Sequence, residues 1–332
     1  MAANLLDARE RDTAVTGALL FPGQASQEVG MGVALRQVSR RADELFDLVD
    51  RISGLAIGEL CANGPLDELT RTDVAQLAVV VTSLAAAAVL EEVLGYRPAV
   101  AVVAGHSVGE LAAMCWAGAL DLETTLRLVH QRGLLMQRDS AACDGTMVAV
   151  IGLDEATLLD LCVQASQGMN RVQVANLNGP GLTVLSGDRT AIMVVSELVK
   201  AAGARRVLPL TVGGPFHSEY MAPAAQDFAL ALADAQMRDS SVPVVLNTSA
   251  RSTSRAEDLR AELAMQISQP VRWHSSQETM AGLGCDMFVE LGAGQVLTGL
   301  NRRMFPGSRA LAAGDPDAIA EVAALLRQEG VQ

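Results

Sequence analysis

The sequence predicts an α/β protein. A large domain built on a parallel sheet takes residues 17–144 and 211–332, and a small domain at residues 145–210 is inserted into it. Three observations lead there. Short apolar runs bounded by Gly and Pro alternate with longer helical patterns, as parallel strands joined by crossover helices do. One run ends in a Gly-x-Ser-x-Gly turn that opens a helix. Between residues 145 and 210 the order becomes β-α-β-β-α-β, a ferredoxin-like split motif.

Composition sets outer limits. Half of the 332 residues are hydrophobic, enough for a sizeable core, and only 3% are aromatic, so that core must be Leu, Val and Ala. The formal net charge of -13 argues against nucleic-acid binding, though it leaves room for a local basic patch. Cys61, Cys115, Cys143, Cys162 and Cys285 form no CxxC pair and read as buried free thiols of a cytoplasmic protein. Residues 1–16 are polar with mixed charge, which predicts a flexible N-terminus rather than a signal peptide. The longest apolar stretch, residues 77–90, contains Thr82 and Ser83 and is too short to span a bilayer, so no membrane is expected.

In chain order, Ala18-Leu19-Leu20-Phe21 is a strand ending in the loop Pro22-Gly23-Gln24-Ala25, at the sheet edge where α/β ligands bind. Residues 33–52 and 72–93 have helical spacing; the second is apolar nearly all round and therefore buried, with Gln76 a polar exception. Residues 99–104 read as a buried strand and residues 110–120 as a helix. Between them, Gly105-His106-Ser107-Val108-Gly109 fits the tight turn of an α/β-hydrolase-like sheet. The helix start then aims free N–H groups and its positive dipole end at the serine. An ordinary strand-turn-helix with an incidental serine matches the same five residues.

Asp121 caps a helix over residues 122–138, on whose apolar stripe Arg132 falls. A guanidinium there needs a partner; spacing favours an internal Asp or Glu over a ligand carboxylate. The inserted domain follows, with strands at 147–152, 172–175, 182–185 and 206–210 and helices at 153–167 and 188–202. Two glycines and Pro215 then shape a loop that presents Phe216 and His217. Residues 242–247 read as a strand, Pro270 closes a helix containing Gln266, residues 287–291 form a late strand, and a last helix carries Arg302 and Arg303.

Together these motifs resemble the malonyl-CoA:acyl-carrier-protein transacylase family, including the acyltransferase units of polyketide synthases. The resemblance spans residues 18–303. It rests on Phe21-Pro22-Gly23-Gln24, Gly105-His106-Ser107-Val108-Gly109-Glu110, Gln131-Arg132-Gly133, Asn176-Leu177-Asn178-Gly179-Pro180, Gly214-Pro215-Phe216-His217, and Gln266 ahead of Gln269-Pro270-Val271-Arg272-Trp273. It implies Ser107 as nucleophile and His217 as base, held by backbone carbonyls near Gln266 and Asn247 rather than by an aspartate. It implies the N–H groups of Gln24 and Val108 as the oxyanion hole. Arg132 would hold a malonyl carboxylate, with Gln76, His106, Phe216, Asn176 and Gln266 around the substrate. The expected substrates are malonyl-CoA, as a CoA thioester without cofactor or metal, and an acyl carrier protein, acted on by a monomer in the cytoplasm.

Two departures stand out. Ala25 replaces the glycine usual after the glutamine, and Leu182 replaces a commonly polar residue. Phe216 is the type associated with malonyl rather than methylmalonyl. The competing readings are a discrete polyketide acyltransferase for methylmalonyl or ethylmalonyl, an editing hydrolase of the same family, an α/β-hydrolase, and a non-catalytic carrier-binding module. An α/β-hydrolase needs a triad acid, and intact Ser107, His217 and Arg132 argue against the module.

Overall fold

The computed structural model describes residues 17–328; the flexible segment expected at 1–16 lies outside the described residues. β1 (Gly17–Phe21) is followed by α1 (Val33–Val38), α2 (Arg40–Ser53), α3 (Ile57–Asn63), α4 (Leu66–Thr70) and α5 (Thr72–Leu94). β2 (Val102–Gly105) then leads into α6 (Gly109–Trp116) and α7 (Leu122–Ala141). Next come β3 (Gly145–Ile151), α8 (Glu155–Ala165), β4 (Val172–Gly179), β5 (Leu182–Asp188), α9 (Arg189–Ala201) and β6 (Arg206–Pro209). The chain returns through α10 (Ala222–Asp234), β7 (Val244–Val245), β8 (Ser252–Thr253), α11 (Ala256–Gln266) and α12 (Trp273–Gly282). It closes with β9 (Met287–Leu291), α13 (Val296–Met304), β10 (Arg309–Ala313) and α14 (Pro316–Gln328).

The larger sheet has the order β10-β9-β1-β2-β7-β8, parallel from β10 to β7 with β8 antiparallel at the edge. Both faces are covered, which is why β1, β2 and β9 are buried at every position without alternation, Glu290 of β9 accepting from Leu297 and Thr298 N–H. The smaller sheet, β4-β5-β3-β6, is antiparallel throughout. Its inner residues Val148, Val150, Val172, Val174 and Leu185 pack with Leu158, Ile192 and Val195 from α8 and α9. The two units meet where β4 runs beside the segment before α12: Leu177 N–H donates to Val271 O at 2.9 Å and Val271 N–H to Ala175 O at 2.9 Å.

α5 is the central helix, buried on all sides except near its C-terminal end. It matches the helix expected over 72–93; its most apolar 18-residue stretch, with mean hydropathy 2.0, is long and apolar enough to cross a membrane, but 83% of that stretch is buried inside the protein. Here an all-round apolar helix means a core position.

Several element boundaries differ from expectation. The helix expected over 33–52 is two: Ser39 is extended at φ −135°, its N–H closes α1 on Leu35 O, and its hydroxyl caps α2 by accepting from Ala42 N–H at 3.0 Å. The strand expected from residue 99 starts at Val102, and the helix expected to reach 120 stops at Trp116, where Gly118 turns at φ 78°. The strand expected over 242–247 shrinks to Val244–Val245, because the N–H and side chain of Asn247 bond to Glu110, Gly105 and Ser107 instead of to a neighbouring strand. The helix with Arg302 and Arg303 is not the last, since β10 and α14 follow it.

Candidate active site

The site begins at the turn between β2 and α6. Ser107 sits at φ 53°, in the left-handed region that costs a non-glycine residue about 1–2 kcal/mol. The flanking glycines make that turn possible. A Cβ on Gly105 would lie 2.0 Å from Gly109 C, and one on Gly109 would lie 2.2 Å from Phe21 O. Strand, helix and the end of β1 therefore touch backbone to backbone, with the serine raised between them.

His217 arrives from the loop after β6, also at positive φ, 55°. Gly214 presses that loop onto α7: a Cβ there would lie 2.0 Å from Ser140 Oγ. His217 Nε2 lies 2.7 Å from Ser107 Oγ. Its Nδ1 faces two main-chain carbonyls, Gln266 O at 3.0 Å and Gln269 O at 3.1 Å. Carbonyls only accept, so Nδ1 carries the hydrogen and Nε2 is left bare towards the serine. The carbonyl expected near Asn247 is that of Gln269 instead. Burial first, and the Arg132 charge second, push the imidazole down to about 3, so it is neutral at physiological pH.

Arg132 lies on α7 at 1% exposure. Gly133 beside it lets α7 approach the start of α5, and Arg132 Nη1 donates to Gln76 Oε1 at 2.6 Å. Nη2 donates to Gln266 Oε1 at 2.9 Å and lies 3.2 Å from Ser107 Oγ. The direct Asp or Glu partner favoured from spacing is not there: the hydrogen-bond acceptors are two neutral amides and the serine. Gln76 is in turn held by donating to Met136 Sδ at 3.2 Å.

Around this cluster, Asn247 Oδ1 accepts the Ser107 N–H at 2.8 Å, so that N–H is not free to meet an oxyanion. The next one, on Val108 at the start of α6, makes no hydrogen bond among the described residues. Gln24 sits half-buried on the loop after β1. His106 N–H donates to Phe21 O at 2.9 Å, and Gly23 packs so closely on His106 that a Cβ would lie 2.5 Å from its carbonyl oxygen. That contact sets the Gln24 loop beside the serine turn.

Residues 18–306 match the acyl transferase domain model. The chain belongs to the acyl transferase family. A malonyl CoA-acyl carrier protein transacylase of Bacillus subtilis (strain 168) is 37% identical over 312 residues, covering 94% of this chain and 98% of the relative. One of Escherichia coli (strain K12) is 37% identical over 303 residues, covering 91% and 97%. Among solved structures, a malonyl CoA-acyl carrier protein transacylase from Coxiella burnetii superposes with TM-score 0.91 at 32% identity, covering 96% of this chain and 99% of that one. A malonyl-transacylase in complex with its type II polyketide synthase acyl-carrier protein gives 0.89 at 34% identity, covering 93% and 99%.

The other residues singled out from this acyl transferase sequence fall less tightly around Ser107. His106 engages other partners, with Nε2 3.0 Å from Asn178 Oδ1 and its ring 5.4 Å from that of Trp273. Phe216 is buried next to His217. Asn176 is buried too, but its side chain makes no hydrogen bond among the described residues. Ala25 takes φ 79°, the conformation that the expected glycine adopts freely. The sequence reading gave no role to Glu110, Asn178, Met136 or the Gln269 carbonyl. Glu110 stood inside the Gly105–Glu110 motif, but nothing in its spacing says where a buried carboxylate points.

Proposed function

We propose that this acyl transferase moves a malonyl group from CoA to the phosphopantetheine thiol of an acyl carrier protein, for fatty-acid or polyketide synthesis. The observation that carries this reading is Arg132: a buried guanidinium with no directly bonded carboxylate, 3.2 Å from the nucleophile oxygen. A malonyl ester on Ser107 would bring its free carboxylate within reach of that fork. The names of the relatives, at 37% identity over nearly the whole chain, point the same way.

In this mechanism Ser107 Oγ attacks the thioester carbonyl while His217 Nε2 takes its proton. The Val108 and Gln24 N–H groups receive the developing oxyanion, each contributing about 3 kcal/mol. Collapse breaks the C–S bond, and the imidazolium returns its proton to the departing CoA sulfur. The carrier thiol then attacks the serine ester, with the same imidazole taking its proton and giving it back to Ser107 Oγ. The carbonyls of Gln266 and Gln269 do the orienting that a triad carboxylate does elsewhere.

We further read residues 145–210 as a ferredoxin-like insert in an α/β-hydrolase-like domain, supported by the β4-β5-β3-β6 order and the helices packed over that sheet. The protein works in this reading as a cytoplasmic monomer. The functional test is intact-mass spectrometry after exposure to malonyl-, methylmalonyl-, ethylmalonyl- and acetyl-CoA. A stable malonyl adduct that a carrier protein removes supports the reading. An adduct from another acyl group alone, or one that hydrolyses before transfer, overturns it.

A further inference from the structure

Glu110 is fully buried in the first turn of α6 and takes no step in the reaction above. It is nevertheless where the site is tied together. Its Oε2 accepts from Gln266 Nε2 at 2.6 Å, and its Oε1 from Asn247 N–H at 3.0 Å. From Gln266, Nε2 also donates to Ser107 O at 2.9 Å, the side-chain oxygen receives Arg132, and the main-chain oxygen receives His217. From Asn247, the side chain takes Ser107 N–H and donates to Gly105 O at 2.7 Å. One carboxylate thus stands behind the nucleophile, the base and the guanidinium.

The chemistry of the donors makes this more than packing. Both Glu110 oxygens face N–H donors and accept from them, even though burial and the neighbouring Glu262 hold its carboxyl well above the usual carboxylate range. Gln266 must therefore turn its NH2 towards Glu110 and its oxygen towards Arg132. The flipped carboxamide would present N–H groups to a guanidinium that itself only donates.

We infer that Glu110 is a positioning residue: by fixing the orientation of the Gln266 carboxamide it aims the Arg132 fork at the acyl group on Ser107, and so selects an acyl group that carries a carboxylate. This rests on the reading of Arg132 as the malonyl partner.

The test is Glu110→Gln, nearly isosteric, with acyl-enzyme formation from malonyl-CoA and acetyl-CoA followed by quenched intact-mass spectrometry. The new amide puts an NH2 where an acceptor stood. Rotating Gln266 relieves that clash more readily than moving the Asn247 backbone. Malonyl loading should fall by about tenfold or more while acetyl loading changes much less, lowering the malonyl-to-acetyl ratio about tenfold. Arg132→Ala is run alongside. If Arg132→Ala leaves the ratio unchanged, the function reading itself fails. If it shifts the ratio and Glu110→Gln does not, or lowers both substrates equally, Glu110 is only structural. In the double variant the ratio should fall no further than in Arg132→Ala, because Glu110 acts through Arg132; full additivity overturns the inference. Gln266→Met covers the case of a Glu110 variant that does not fold. It keeps the main-chain carbonyl for His217 and cuts the relay, so it should reproduce the ratio loss. An unchanged ratio there breaks the proposed route.

Discussion

Ser107 Oγ and His217 Nε2 meet at 2.7 Å across 110 residues of sequence, and both residues hold left-handed backbone, φ 53° and 55°. The pair is set by the main chain on each side, so its geometry does not wait for substrate. Ser107→Ala should abolish the malonyl adduct. His217→Ala should slow both loading and transfer to the carrier protein by about 100-fold or more, since one base serves both halves. Single-turnover rates for each half-reaction check this; a His217→Ala enzyme that transfers normally removes the histidine from the mechanism.

The same imidazole makes a pH prediction. Held neutral down to about 3, it remains a competent base throughout the neutral range, so the single-turnover loading rate should show no histidine inflection between pH 5 and 8. Stability carries the opposite mark. Below about 6.5 the unfolded chain takes up a proton that the folded imidazole refuses, so this group's contribution is complete above 6.5 and erodes as pH falls towards 3. Buried Glu110, Glu262 and Glu290 have raised values and act in the other sense, so the comparison must be differential. The Tm of His217→Asn should fall less between pH 7 and 4 than that of the unaltered protein; parallel curves would refute it.

Arg132 should decide substrate class. Each charge-assisted hydrogen bond to a carboxylate is worth about 1.5–3 kcal/mol, so Arg132→Ala should cut malonyl loading by about ten- to several-hundred-fold. Acetyl loading should hold or rise. Lysine should rescue poorly, because it cannot span Gln76 and Gln266 while presenting a planar fork. Competition between malonyl-CoA and acetyl-CoA reads this directly.

Ala25 holds φ 79° on an exposed loop, so Ala25→Gly should raise stability by about 1 kcal/mol through relief of that strain. Chemical denaturation measures the change, and a destabilised glycine variant would contradict it.

Carrier proteins are acidic, and so is this chain, so docking calls for local arginines. Arg205 and Arg206 are exposed at the start of β6, whereas Arg302 is engaged with Ala310 O at 2.9 Å, leaving Arg303 as the freer member of its pair. Reversing the charge at Arg205 and Arg206, or at Arg303, should raise KM for the carrier protein several-fold and leave CoA loading alone. Unchanged KM for both places the docking face elsewhere.

The sequence made the serine turn, the histidine loop and the order of the inserted strands legible, because glycine spacing and apolar runs are local signals. It did not reveal what partners Arg132. Helical spacing placed the guanidinium on a buried stripe, but the acceptors come from α5 and α11, and only the fold brings them together. Asn247 was misjudged for the same reason: a carbonyl near it was expected at the histidine, while its side chain in fact holds the serine N–H. The two edge strands of the larger sheet, β8 and β10, were missed: Ser252–Thr253 is only two polar residues, and Arg309–Ala313 is Ala-rich with no β-branched or aromatic residue.

In the sheet, β7 lies directly beside β2, although the chain travels through the whole smaller sheet between them. Asn247, just past β7, is what takes the Ser107 N–H. The nucleophile's conformation therefore depends on sequence that leaves the ribosome some 140 residues later. A nascent chain stalled before Asn247 contains the serine motif without the partner of its N–H, so reactivity at Ser107 can report that β7 has closed onto β2.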